Sequence, residues 1–316
     1  MDKKISIIMY HYVRDLQKSR YPKIKGLTDA EFKNQIDYFL SQGQIIPPET
    51  LFEALESGNT TKLGKNNFIL TFDDGYIDHF TNVLPVLHRK KISAFFSMPG
   101  KIIAEKKLLD VNKIHFILAV ADLNELKEDI FSQLDFYRGK EFDFPSNQEL
   151  YEKLAIPSRL DSADTIFIKR LLQVELDGRL RGIIIDNLFE KFISIPEDVF
   201  CHELYLSLDQ VKMMKRMGMM FGIHGYDHTW MNRMSPATLA EDVDKALDIF
   251  SGIVDNSKWV CCYPYGSVSD TVVEIIREKK AFAGLTSVVG GVDLMNFDIF
   301  HLSRFDTNDF PPKKCN

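Results

Sequence analysis

Cysteine is scarce in this chain, with four residues in 316. Cys201, Cys261, Cys262 and Cys315 show neither the spacing of a zinc knuckle nor that of a disulfide framework, and the adjacent Cys261 and Cys262 would pair only with strained geometry. We interpret all four as core or incidental thiols of a protein in a reducing compartment.

An excess of positive charge and long hydrophobic runs are also lacking. The formal net charge of -6 and the pI of about 5.8 leave no electrostatic footprint for nucleic acid or an anionic membrane. No segment reaches the roughly 18 apolar residues that a membrane span requires. The apolar run at residues 5–10 is too short for a secretion signal, and no small-residue cleavage site follows it. We therefore expect a cytoplasmic protein.

What is present predicts an α/β fold. At 316 residues and 45% hydrophobic content, the chain can bury one large core, or a core plus a subdomain. Apolar strands alternate with helical patterns, which favours parallel strands in an irregular (β/α)7-type barrel of about seven strands. The alternation stops over residues 101–206, where only helical patterns occur. We predict a barrel from residues 1–100 and 207–316, with 101–206 as an inserted helical subdomain.

The most informative segment is residues 68–75, Phe-Ile-Leu-Thr-Phe-Asp-Asp-Gly, an apolar strand that ends in two carboxylates and a glycine. Adjacent ionised carboxylates repel each other, and a cation relieves the repulsion when one ligates it and the other acts as a base. Gly75 permits a sharp turn close to a ligand. The alternative is that Asp73 and Asp74 cap and complement the helix that follows.

A pair of histidines follows a second apolar stretch, residues 219–223. His224 and His228 are four residues apart, so they share a face in a helix or in a strand. Zinc and similar divalent ions accept mixed nitrogen and oxygen ligands, and a hydrolytic site keeps one position open for water. Together with Asp74, the two histidines predict a three-ligand zinc site. The alternative for an isolated pair is a chance spacing.

A third segment, residues 262–266, reads Cys-Tyr-Pro-Tyr-Gly at the end of another apolar strand. In this order, the three segments resemble the polysaccharide deacetylases, the metal-dependent carbohydrate N-deacetylases with a NodB-homology domain that form carbohydrate esterase family 4. Residues 71–75 keep the family's T-F-D-D-G motif. The second motif, H-S/T-x-x-H, has Gly225 in place of the hydroxyl residue, and the third, usually R-x-P-Y-G, lacks its arginine and ends as Y-P-Y-G.

The resemblance implies a role for each matching residue. The first aspartate of the family, here Asp73, is the general base, and the metal ligands correspond to Asp74, His224 and His228. The tyrosine of the third motif, Tyr265, lends its backbone N–H to the oxyanion. The implied fold is the same irregular barrel, and these residues fall at the carboxyl ends of its strands, where barrel enzymes place their chemistry.

Two roles remain to be assigned, the arginine that orients the base and the general acid. The missing arginine orients the base, and Arg304 in Leu-Ser-Arg-Phe resembles the late arginine that some Y-P-Y-G members use instead; the alternative is a surface arginine. For the general acid, His301 fits a late family motif loosely, whereas His11 matches an early Tyr-His. Strand alternation places His301 and Arg304 on opposite faces, which favours His11.

The function that follows is metal-dependent removal of an N-acetyl group from an amino sugar. The expected location makes assembled cell wall an unfavourable target, so we expect an N-acetylated sugar precursor, linked to a nucleotide or a lipid, as the substrate. Two alternatives stay open. The chain could hydrolyse another amide, such as a cyclic imide or a ureide, or it could be a non-catalytic glycan-binding relative.

Overall fold

A computed structural model gives the fold and describes residues 3–312. Cys315 therefore lies outside the described residues. The chain divides into two compact units. The barrel unit comprises the residues up to Asp15, Lys25–Lys107, and those from Cys201 onward, and the helical unit comprises Leu16–Ile24 and Leu108–Phe200.

The barrel unit is built on a curled sheet in which every strand pair is parallel. The spatial order is β7-β6-β5-β4-β3-β1-β8, and β2 pairs with β3. The strands are β1 (Lys4–Tyr10), β2 (Gln44–Ile45), β3 (Asn66–Phe72), β4 (Phe95–Met98), β5 (Met220–Ile223), β6 (Trp259–Cys262), β7 (Ala281–Leu285) and β8 (Phe305–Asp306). The predicted parallel α/β architecture is confirmed.

The end of the chain brings the two edges of this sheet together. Leu302 forms a parallel bridge with Leu285 of β7, and three residues later Phe305 pairs with Ile8 of β1. The segment between these contacts carries Arg304, which is 2% exposed. The alternation of apolar residues over 297–305 predicts a last strand there, but the structure reduces it to a short closing segment, since Ile299 and Phe300 form a turn instead of pairing with a neighbouring strand.

Helices cover the sheet and make up most of the second unit. In chain order they are α1 (Asp29–Gln42), α2 (Pro48–Ser57), α3 (Leu84–Lys90), α4 (Lys101–Ala104), α5 (Asp110–Val120), α6 (Leu123–Tyr137), α7 (Asn147–Leu154), α8 (Ala163–Arg170), α9 (Gly178–Ile193), α10 (Glu197–Leu204), α11 (Leu208–Arg216), α12 (Pro236–Ile249) and α13 (Asp270–Glu278). Short turns of π-helix at His79–Val83 and Leu171–Glu175 precede α3 and follow α8. Helix α10 spans the boundary between the units. Within residues 3–312, none of these helices is long and apolar enough to cross a membrane.

The bounds of the helical unit differ from the predicted insertion at residues 101–206. It begins at Leu108 and ends at Phe200, and it also takes in Leu16–Ile24. The added segment joins this unit through aromatic packing, because the ring of Tyr21 lies 4.9 Å from that of Phe116 and 5.6 Å from that of Phe200. A contact between residues so distant in sequence leaves no local signal in the chain.

Candidate metal centre and base

The candidate site lies at the carboxyl ends of β3, β5 and β6, which belong to the run of adjacent strands β6-β5-β4-β3. Asp73 and Asp74 directly follow β3, His224 directly follows β5, and Tyr265 lies in the turn after β6. Parallel strands present all their carboxyl ends at one edge of a sheet, which is why segments nearly 200 residues apart in sequence meet here.

Asp74 and the two histidines converge on one point. Asp74 Oδ1 lies 3.4 Å from His224 Nε2 and 3.2 Å from His228 Nε2. The two Nε2 atoms are 3.2 Å apart. All three side chains are at least nine-tenths buried, with Asp74 2%, His224 3% and His228 7% exposed.

This donor set fits a divalent cation. In a tetrahedral zinc site with bonds of about 2.0–2.1 Å, neighbouring ligand atoms lie about 3.3 Å apart. The separations of 3.2–3.4 Å between the Asp74, His224 and His228 atoms match that edge. Asp74 Oδ1 is buried and accepts no hydrogen bond within residues 3–312, which leaves its lone pairs for an ion.

Neighbouring groups fix which atoms face this point. The Tyr76 hydroxyl donates to Asp74 Oδ2 at 2.7 Å, which turns Oδ1 toward the histidines. His224 Nδ1 lies 2.6 Å from the Cys262 carbonyl oxygen. A carbonyl can only accept, so Nδ1 carries the proton and Nε2 keeps its lone pair. Partners of this kind orient metal ligands before the ion binds.

Asp73 is held by Arg304. The guanidinium contacts both carboxylate oxygens, with Nη1 donating to Oδ1 at 3.0 Å and Nη2 lying 2.8 Å from Oδ2. Arg304 also donates to the Thr71 hydroxyl at 3.2 Å and to the Thr286 carbonyl at 2.8 Å. These hydrogen bonds fix the orientation of the guanidinium. Burial would raise the pKa of Asp73, but Arg304 and the nearby His224 and His11 lower it below its usual value. The carboxylate therefore stays ionised although it is 1% exposed.

Two further groups on Asp73 were missed by the sequence analysis. The Ser97 hydroxyl of β4 donates to Oδ1 at 2.7 Å, and Cys262 Sγ lies 3.4 Å from the same oxygen. Cys262 occupies the position where the family motif has its arginine. The only sequence signal for Ser97 is a polar residue at the end of an otherwise apolar strand, Phe95–Met98.

The two candidates for the general acid have different surroundings. His11 Nε2 lies 4.0 Å from Asp73 Oδ2, and its side chain is 37% exposed, so it is close to the base and still reachable. His301 Nδ1 lies 2.7 Å from Asp298 Oδ2, and the His301 side chain is 39% exposed. Arg304, three residues later in the chain, is buried, so the two side chains have opposite environments.

Tyr265 lies against the histidines. Its ring is 4.7 Å from that of His228 and stacks on Trp230 with centroids 5.0 Å apart. Asp74, His228 and Tyr265 all have a positive φ, at 72°, 52° and 58°, which is uncommon for residues with a side chain. Sharp turns at the strand ends impose this conformation, and such strain is typical of functional sites.

The loop between the histidines is held by Asp242 of α12. Its carboxylate accepts from the backbone N–H of Tyr226 at 2.8 Å and of Asp227 at 3.3 Å. Gly225, which replaces the hydroxyl residue of the family motif, has a φ of 69°, and a Cβ there would lie 3.2 Å from Asp242 Oδ2. Asp242 therefore lies close to the space that a side chain at position 225 would enter, and it holds the loop through two backbone N–H groups.

Comparisons with known proteins agree with this geometry. A barrel of parallel strands with buried carboxylates and imidazoles at the carboxyl ends is an arrangement that metal-dependent hydrolases use. The family model described as polysaccharide deacetylase matches residues 191–282. The Bacillus subtilis protein YxkH, which carries the name of a polysaccharide deacetylase, is 30% identical over 104 residues, or 33% of this chain. That match spans 34% of YxkH, about a third of its length.

Solved structures extend the likeness in fold to almost the whole chain. The Streptococcus pyogenes deacetylase PplD, determined in complex with acetate, matches with a TM-score of 0.59 and 17% identity over 97% of this chain and 93% of its own. IcaB from Ammonifex degensii matches with a TM-score of 0.56 and 17% identity over 96% and 91%. These matches confirm the resemblance to the polysaccharide deacetylase family, in sequence over residues 191–282 and in fold over almost the whole chain.

We predict that Tyr76→Phe lowers zinc affinity without unfolding the protein. The variant loses the hydrogen bond that turns Asp74 Oδ1 toward the histidines, and loss of such a partner typically costs 10- to 100-fold in affinity, so a fall of about that size is expected. Competition with a chromogenic chelator measures it. Tyr38→Phe, a hydroxyl lost far from the site, is the matched control. Equal zinc affinity in wild type and Tyr76→Phe contradicts the prediction.

We predict that Arg304→Met destabilises the barrel unit by about 3–5 kcal/mol at neutral pH, because it leaves Asp73 buried and unpaired. Asp73 has a lowered pKa in the folded state, so its ion pair stabilises above the unfolded pKa of about 3.9 and is lost as the pH falls through the folded pKa. The deficit should therefore shrink below about pH 4.

Urea unfolding across the pH range measures this deficit. Arg216→Met, at an exposed position in α11, is the control and should change the free energy of unfolding by less than about 0.5 kcal/mol. A deficit that does not vary with pH would show that lost packing, and not the charge of Asp73, causes it.

Proposed function

We propose that this protein is a metal-dependent hydrolase that removes an N-acetyl group from an amino sugar. One observation carries the proposal: Asp74, His224 and His228 converge at 3.2–3.4 Å beside a second carboxylate that is kept ionised. A ligand set with a separate base is what amide hydrolysis by an activated water requires.

In the proposed mechanism, a divalent ion held by Asp74, His224 and His228 supplies Lewis acidity toward water and the acetamide carbonyl. Asp73 accepts the proton of the attacking water, and its carboxylate lies within 4.8 Å of a ring nitrogen of His224. Arg304 keeps Asp73 ionised and fixes the direction of its oxygens. The backbone N–H of Tyr265, by resemblance to the family, donates to the developing oxyanion.

His11 is our proposed general acid, which protonates the leaving amine so that acetate and a free amino sugar result. Its support is position: Nε2 lies 4.0 Å from Asp73, and the side chain is open enough to meet a substrate. His301 is the second candidate, and its contact with Asp298 gives it a separate partner. Zinc is the proposed ion, because nitrogen and oxygen donors at these spacings suit its tetrahedral geometry.

A non-catalytic glycan-binding relative is the alternative that the two motif departures raised. In the structure, Arg304 contacts the base, and Asp242 holds the loop at Gly225. The missing arginine therefore has a substitute and the histidine loop is held in place, which favours catalysis over binding alone. Hydrolysis of another amide, such as a cyclic imide or a ureide, is the remaining alternative, and the experiment below tests it.

Acetate release from N-acetylated chito-oligosaccharides and nucleotide sugars tests the proposal. We expect zinc-loaded wild type to release acetate, a chelator to stop the release, and added zinc to restore it. Asp73→Asn should bind zinc and lose turnover by at least about 100-fold, because it lacks the base.

Asp209→Asn, a carboxylate lost at the exposed start of α11, is the matched control and should keep full activity. A fully active Asp73→Asn variant contradicts the assignment of the base. Release from imides or ureides but not from acetamides selects the other amide, and bound zinc without any hydrolysis selects the binding protein.

The finer part of the proposal is the substrate, a cytoplasmic N-acetylated precursor linked to a nucleotide or a lipid. It rests on the location expected from the sequence. We predict a kcat/KM at least about tenfold higher on such a precursor than on a polymer fragment of the same sugar, measured as acetate released under equal conditions; tenfold corresponds to about 1.4 kcal/mol of transition-state binding. Faster hydrolysis of the polymer contradicts this part only.

A further inference from the structure

His11 lies just beyond the last residue of β1, Tyr10, on a segment whose backbone groups point alternately to two sides. On one side, Leu27 donates to the Tyr12 carbonyl at 2.9 Å and accepts from the Arg14 N–H at 2.9 Å. The groups of His11 and Val13 face the other side, where a single helical turn, residues 78–82, receives them.

Three side chains of that turn bind the backbone of the His11 segment. His79 Nε2 lies 3.0 Å from the His11 carbonyl oxygen, and Asn82 Nδ2 donates to the Val13 carbonyl at 2.7 Å. Asp78 Oδ2 accepts from the Val13 N–H at 3.2 Å and from Arg14 Nε at 2.7 Å. Each backbone group that faces the turn at Val13 is therefore paired, and so is the carbonyl of His11.

The surroundings of His79 indicate that its contribution is the hydrogen bond that its ring N–H donates to the His11 carbonyl. The side chain is fully buried, and burial lowers its pKa to about 4, so the ring is neutral at physiological pH. A carbonyl only accepts, so the single proton is on Nε2. Nδ1 is buried and has no hydrogen-bond partner in the part of the chain that the structure describes. An unpaired buried nitrogen is costly, and an apolar residue between Phe72 and Phe96 would avoid that cost.

The same stretch of chain carries the base and a proposed metal ligand. Asp73 and Asp74 precede the turn by only a few residues, and the ring of Tyr12 stacks on that of Tyr76 at 4.0 Å. Tyr76 in turn donates to Asp74. Contacts from residues 76–82 thus tie the His11 segment to the segment that carries both carboxylates.

We infer that His79, with Asp78 and Asn82, is a positioning residue that fixes His11 relative to Asp73 and Asp74. This inference rests on the proposed function, in which His11 donates a proton to the leaving amine. None of the three contacts substrate; they act through the backbone of the His11 segment. A misplacement of about 1 Å at a reacting group can cost about 100-fold in rate.

The test uses His79→Phe, which keeps the aromatic packing and removes only the donor. On an N-acetyl amide, whose leaving amine needs a proton, kcat should fall about 10- to 100-fold. On 4-nitrophenyl acetate, whose leaving group departs without a proton, kcat should change less than about twofold. Zinc content should equal that of wild type. His88→Phe, an exposed histidine of α3, is the matched control and should behave as wild type.

A double variant separates positioning from general loss of structure. In a His11→Asn background, His79→Phe should cause no further loss on the amide, because both changes remove the same proton transfer. Equal losses on both substrates, or losses that multiply in the double variant, overturn the inference. Asn82→Ala, at a half-buried position, is the second variant if His79→Phe fails to fold, and the same criteria apply.

A readout independent of turnover covers the case in which the proposed function fails. The order parameter of the His11 amide, measured by NMR on the zinc-loaded protein, should fall from about 0.85 toward about 0.6 in His79→Phe or Asn82→Ala. If wild type hydrolyses no acetylated substrate, the proposed function is wrong, and this order parameter alone decides the positioning role. An unchanged order parameter then overturns it.

Discussion

The ion pair between Arg304 and Asp73 is the interaction on which the rest of the site depends. Two adjacent carboxylates, each nine-tenths or more buried, would ordinarily take up protons, and a neutral Asp73 could not accept one from water. The guanidinium contacts both oxygens of Asp73 and comes from the segment that links β7 to β1. The closing segment of the sheet therefore also carries the residue that keeps Asp73, our proposed base, ionised.

Around this ion pair, residues that take no part in the proposed reaction orient the atoms that do. Tyr76 selects which oxygen of Asp74 faces the histidines, and the Cys262 carbonyl selects the tautomer of His224. Asp242 shapes the histidine loop by holding two backbone N–H groups. These hydrogen bonds come from the protein itself, so they lower the free energy that binding of an ion or substrate must spend on ordering the site.

The sequence predicted the parts of the site that lie in short contiguous motifs. A buried strand followed by Asp73 and Asp74 has a distinctive pattern, and parallel-strand geometry brings its end close to His224. Ser97 and Asp242 carried no such signal, because their roles depend on contacts with residues more than ten positions away. The same reason explains why Leu16–Ile24 was not assigned to the helical unit and why the strand expected at residues 297–305 shrank to Phe305–Asp306.

The arginine beside Asp73 comes from position 304 in this chain, whereas the usual family motif places it at the position of Cys262. This difference bears on how related chains diverged. Cys262 Sγ lies 3.4 Å from the Asp73 oxygen that Arg304 also contacts, so side chains at positions 262 and 304 both reach this carboxylate. Moving the arginine from position 262 to position 304 takes two substitutions. A lineage that makes them one at a time passes through a protein with two arginines, or none, beside Asp73. A survey that classifies relatives by residue 262 alone will exclude chains in which the arginine stands at the position of Arg304 instead.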